Sequence, residues 1–133
     1  MNKYELENRL IDFSVRVVEC IEVLEKRNVN LHLKDQVIRS CTACSLNYGE
    51  AQSAESKRDF IHKLGIVMKE LRETQINLKM LSRLNPTDQD VPIPGLIKEN
   101  DELLVIMYRT IQTARKNSQI MDDGRPKHGR STM

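Results

Sequence analysis

The chain predicts an all-α fold: an antiparallel up-down-up-down four-helix bundle followed by a disordered C-terminal tail. Three observations predict it. Apolar residues recur every three or four positions through most of the 133 residues, which is the spacing of one helix face and not of a strand. Aromatic residues make up only 4% and Trp is absent, so the core must be built from Leu, Ile, Val, Met and Cys, which suits helix-on-helix packing. The periodic stretches are separated by short polar breaks, and short connections set consecutive helices side by side and antiparallel. A chain of this length buries a core without disulfide or metal support. Residues 1–117 are read as the bundle and 118–133 as a flexible basic tail.

The first helix is expected from about Leu6 to Lys26. Leu6, Leu10, Phe13, Val17, Ile21 and Leu24 mark its inner face, with Cys20 beside it. Glu5 and Glu7 at its start and Lys26 and Arg27 at its end suit the helix dipole. Asn28, Asn30 and His32 then make a polar turn. The second helix is expected from about Leu33 to Ala51, with Val37, Cys41, Cys44 and Tyr48 on its seam. Its middle, Ser40 to Ser45, uses small side chains that let a neighbouring backbone come close.

Ser53 to Ser56 form a corner, and Ser56 with Asp59 three residues later resembles a capping box. The third helix is expected over Lys57 to Leu84, with Phe60, Leu64, Val67, Leu71, Leu78 and Leu81 inward, until Asn85-Pro86 stops it. Residues 85–94 hold three of the four prolines and form the longer connection. Pro94 or Gly95 opens the fourth helix, which runs to about Asn117 with Leu96, Asn100, Leu103, Met107, Ile111 and Ala114 on its face. Leu104, Val105, Ile106 and Tyr108 widen that face nearly all the way round. A helix apolar on several sides is buried on several sides, which points to self-association.

The first ten residues are charged and lack an apolar core, unlike a secretory signal. No apolar run approaches the roughly 18–20 residues that cross a bilayer. With three cysteines, Cys20, Cys41 and Cys44, on helical patterns, free thiols in a reducing, cytoplasmic compartment are expected. The formal charge of +2 is concentrated in residues 115–133, where Arg115, Lys116, Arg125, Lys127 and Arg130 face only Asp122 and Asp123.

Chemistry-bearing patterns are few. Cys41-x-x-Cys44 shares one helix face, but a structural zinc site needs two further ligands, and His32 and His62 are single. Glu70 and Glu73 share a face of the third helix, yet no Glu-x-x-His accompanies them, as a di-iron bundle would require. No nucleophile stands at suggestive spacing from a base, and no phosphate-binding glycine loop is present. The chain is therefore read as neither an enzyme nor a cofactor protein. Asn47, beside the small-residue seam, is expected to fix register by bonding a neighbouring helix. Lys69, Arg72, Lys79 and Arg83 recur at helical spacing on the third helix. With the tail they form a candidate phosphate-binding surface, multiplied in any ring of copies. No aromatic residue is seen to interleave them as a stacking platform.

Polar and apolar positions together carry a resemblance. The order Gln36…Arg39-Ser40…Ser45-x-Asn47-x-x-Glu50-Ala51, then Ser56-x-x-Asp59-Phe60-Ile61, Leu64-Gly65-Ile66, Lys69-Glu70-Leu71 and Glu73-Thr74-Gln75 resembles the S23-type four-helix bundle proteins. These are named for reading frames inside intervening sequences of bacterial 23S rRNA genes. The similarity covers residues 10 to 84 well and the fourth helix only in kind. Ala51 stands where the family has Gly, Asp59 where it has Glu, and Ile76 where it has Leu. The resemblance implies a left-handed bundle assembling as a ring, commonly a homopentamer. It also implies a structural role for Asn47 and Glu50, which match family polar positions. A related branch, the accessory protein of diversity-generating retroelements, binds nucleic acid and a reverse transcriptase. RNA or DNA, with structured RNA or a ribonucleoprotein foremost, and a protein such as a reverse transcriptase, are thus the implied partners, with no membrane. The alternative reading is a protein-interaction scaffold without nucleic-acid binding.

Overall fold

Helix α1 spans Lys3–Lys26, α2 Leu31–Gln52, α3 Lys57–Leu84 and α4 Ile93–Asp123, and no strand occurs among the described residues. The computed structural model describes residues 1–28, 30–86 and 91–123, with side chains of the last segment as far as Asn117.

Local chemistry explains each boundary. α1 begins three residues before Leu6 because Asn2 Oδ1 accepts from the Glu5 amide at 2.9 Å while the Glu5 carboxylate accepts from the Asn2 amide at 3.4 Å. That is a reciprocal capping box with Asn in place of Ser. Asn28 and Asn30 adopt left-handed backbone (φ 59° and 55°), which Asn tolerates better than most residues. The turn is therefore tight enough for α2 to start at Leu31, with His32 inside the helix. Ser56 Oγ accepts from the Asp59 amide at 3.0 Å, and α3 has the limits that its spacing predicts. At its end the Asn85 side-chain amide donates to the Leu81 carbonyl at 2.8 Å and to Asn30 Oδ1 at 2.6 Å, tying the α1–α2 turn to the foot of α3. Pro94 sits in the first turn of α4, where its missing N–H costs nothing. α4 continues six residues past Asn117, since no Gly or Pro intervenes before Gly124 and Pro126. The rest of the expected tail lies outside the described residues.

The backbones of the four helices approach one another in a closed cycle, α1 to α2 to α3 to α4 and back to α1, and among the described residues the diagonal pairs make no close backbone approach. Along each seam the partners run in opposite senses. Ser14 meets Ser45 while Glu25 meets Lys34; Arg39 meets Glu73 while Glu50 meets Lys63; Arg9 meets Glu102 while Arg16 lies beside Gly95. This is the up-down-up-down bundle. Its interior is aliphatic, with Leu10, Phe13, Leu71, Leu78, Leu103 and Met107 fully enclosed, each contributing about 1.5–3 kcal/mol by leaving water.

The small residues of α2 bond both neighbours. On one side the Ser14 hydroxyl donates to the Cys41 carbonyl at 2.7 Å and stands 2.8 Å from Ser45 Oγ. On the other, Thr74 Oγ1 lies 2.8 Å from Ser40 Oγ. Asn47 does not reach across: its side-chain amide donates to the Ala43 carbonyl of its own helix at 2.8 Å, the local back-bond that short polar side chains form in helices. Serine and threonine hydroxyls, then, carry the interhelical polar register expected of Asn47. Met1 lines a depression with Arg109, Thr113 and Asn117, so the start of α1 and the far part of α4 share one pole.

Candidate nucleic-acid interface

At 100° per residue, Gly65, Lys69, Arg72, Ile76 and Arg83 fall on one outward face of α3, with Lys79 at its edge. All of them are exposed. α4 lies alongside and presents Tyr108, which is 54% exposed, and Arg115, seven residues on and hence on the same side. An open groove of about 820 Å³ runs along α3, bordered by α4 and by Gln36 of α2. Lys69, Arg72 and Arg115 line it together with Tyr108, Met68, Ile76 and Met80.

Three of the basic residues singled out by sequence thus converge on one feature. Lys79 and Arg83 share the α3 face but do not line the groove, and Lys116 is exposed beside Arg115. Arg125, Lys127 and Arg130 lie outside the described residues. Tyr108 was missed, because at sequence level it reads as part of the broad apolar face of α4. Its seven-residue spacing from Arg115 was the available signal.

The groove is electropositive because its one carboxylate is spoken for. Glu73 binds Arg39 Nη2 at 2.5 Å, and Glu70, buried on the same helix, lies 3.2 Å from Arg39 Nη1. The charge of Glu70 foremost holds the Arg39 guanidinium above its ordinary pKa, with Glu73 adding to it. The same device closes the opposite seam, where Arg9 Nε binds Glu99 at 2.7 Å and Arg9 Nη2 binds Glu102 at 2.7 Å. The hydrogen bond to Glu99 is the largest cause of a raised Arg9 pKa. No carboxylate among the described residues pairs with Lys69, Arg72 or Arg115.

Other candidates fare differently. Glu70 and Glu73 are joined through Arg39 and are not a free carboxylate pair. Glu50 lies at the surface, 3.4 Å from Lys63 Nζ. Cys41 and Cys44 are enclosed, and burial pushes each thiol up to about 12. They stay protonated near neutrality, whereas the thiolate is the form that ligates metal or attacks. Among the described residues no cluster of three or more His, Cys, Asp or Glu is arranged to hold a metal, and no helix is long and apolar enough to cross a membrane. Asn100, fully buried in α4, leaves both Nδ2 and Oδ1 without a partner among the described residues.

Comparison with known proteins agrees with this architecture. A family model described as 23S rRNA-intervening sequence protein matches residues 2–109. The chain is also similar to a crystal structure from Bacteroides thetaiotaomicron VPI-5482, described as a protein with unknown function from the S23 ribosomal protein family. Identity is 27%, the TM-score is 0.77, and the match covers 84% of this chain and 99% of that one. No curated protein matches.

Proposed function

The chain belongs to the 23S rRNA-intervening sequence protein family, and from that premise we propose that it is a non-catalytic, cytoplasmic, homo-oligomeric protein that associates with RNA. The observation that carries the reading is the convergence of Lys69 and Arg72 of α3 with Arg115 of α4 on one groove whose single lining carboxylate, Glu73, is bound by Arg39. Neutralising phosphates releases counterions, so such a cluster gains affinity for a polyanion. Lys79, Arg83 and Lys116 extend the same surface. The non-catalytic part is supported by the protonated, enclosed thiols and by the arginine-bound carboxylates. Exposed Val105 on α4 and Tyr4, Ile11 and Val15 on α1 support assembly of copies into a ring, with five as the expected number. Such a ring repeats the basic face around its axis. Binding of labelled RNA to purified protein at two salt concentrations is the test: affinity falls steeply with salt if the reading holds, and absent or salt-indifferent affinity ends it.

A second reading, a scaffold for a protein partner such as a reverse transcriptase, is favoured by the exposed α1 stripe. A defined partner retained after nuclease treatment, and lost on Ile11→Asp, supports that reading over the first.

A further inference from the structure

We infer that the α3–α4 groove holds unpaired nucleotides, with Tyr108 as the surface on which a base stacks and Lys69, Arg72 and Arg115 as the cations along the backbone. The inference rests on the RNA association proposed above and names what that site recognises.

A duplex presents phosphates outward and hides its base faces, so a convex basic surface is enough to hold it. This site is different. It is concave, and its volume of about 820 Å³ lies within the ~300–1,000 Å³ typical of pockets that enclose small ligands. A space of that volume is on the scale of a few single nucleotides. Its lining includes the carbon surfaces of Met68, Ile76 and Met80, and its cations come from both helices, Lys69 and Arg72 from α3 and Arg115 from α4. Gly65 lies in the same groove, and a methyl group built there meets nothing within 4 Å, so the α3 backbone is open to close approach. That pairing of apolar lining and cations fits a strand whose bases turn inward and whose phosphates stay at the rim.

Tyr108 supplies the element that the basic residues lack. Its ring is half exposed at the groove, and its hydroxyl accepts from Gln112 Nε2 at 2.7 Å, which holds the tip of the ring toward its own helix. A base stacked on an aromatic ring contributes enough to matter and does so for any base. Among the described residues, Gln36 and Asn77 are the only uncharged polar side chains in that lining besides Tyr108, so the recognition inferred is of single-strandedness and not of a particular sequence.

The test uses the full chain and two probes: a labelled oligouridine of about twelve nucleotides, within the usual span of single-strand sites, and an RNA duplex of equal length. Titrations run between about 50 and 200 mM salt. The single strand is expected to bind more tightly than the duplex. Tyr108→Ala should weaken single-strand binding about 5- to 150-fold without changing the salt slope, and Tyr108→Phe should retain it. Arg72→Ala should flatten the log–log salt slope by about 0.7. Equal affinity for both probes, or unaltered binding by Tyr108→Ala, overturns the inference while leaving RNA association standing. No binding of either probe overturns both. Loss of the assembled mass on Tyr108→Ala assigns the groove to a second copy of the chain and overturns it as well. Because Tyr108 is exposed, the variants fold, and circular dichroism verifies this.

Discussion

The hydroxyl of Ser14 on α1 donates to the backbone carbonyl of Cys41 on α2 at 2.7 Å, inside the core and across a helix seam. Ser14→Ala removes this bond and the contact with Ser45 Oγ but leaves Cys41 its helical partner, so the cost is that of two neutral hydrogen bonds, about 2 kcal/mol. A fall of roughly 8 °C in Tm by calorimetry is expected. Ser14→Leu should cost more, because the two backbones approach over small side chains. An unchanged Tm for Ser14→Leu would show that the seam is not close-packed.

Asn100 gives the opposite sign. Its amide is fully enclosed with neither polar atom partnered among the described residues, and a buried unsatisfied amide costs about 1–3 kcal/mol. Asn100→Leu, similar in size and apolar, is therefore expected to raise Tm. A lowered Tm would mean that the amide is bonded in the folded protein in solution.

Alkaline pH should destabilise the bundle through its thiols. The ordinary thiol value of 9.0 applies to the unfolded chain, and burial raises Cys41 and Cys44 to about 12 in the fold. Between those values the unfolded chain holds fewer protons, so stability declines as pH rises through that window, and below pH 9 the contribution is fully present. Melts from pH 8 upward check this against a Cys41→Ala/Cys44→Ala variant. A slope equal in the two proteins assigns the effect to other groups.

Gly49 and Gly65 sit inside helices, and an added Cβ meets nothing within 4 Å at either. Gly49→Ala is expected to stabilise by about 0.5–1 kcal/mol through helix propensity. Gly65→Ala should do the same for the free protein while hindering RNA at the groove. Chemical denaturation alone and with oligouridine separates the two effects, and tighter RNA binding by Gly65→Ala would contradict close approach at that backbone.

The fold was legible because a helix advertises its buried face. Leu10, Phe13, Val17 and Leu24 of α1, and Leu64, Leu71 and Leu78 of α3, occupy the interior where their spacing puts them. Caps were less visible. Asn2 with Glu5 starts α1 early, and asparagine in left-handed backbone shortens the α1–α2 turn. The site was half legible. The basic stripe of α3 follows from periodicity along one helix. The joining of Arg115 and Tyr108 to it depends on how α4 is set against α3, a relation between distant segments that spacing within either does not contain. Asn47 shows the converse, since proximity to a seam in sequence does not say whether a side chain turns outward or bonds its own turn.

Because Met1 and Asn117 border the same depression, the amino end of the bundle and a late turn of α4 are neighbours in space. A short flexible bridge between those two positions, with new ends opened at the Ser53–Ser56 corner, should yield a circular permutant with the same helical spectrum, as happens when natural ends adjoin at the surface. In a ring whose members all point one way, the amino end and the Asn117 turn of every copy would then lie on a single rim.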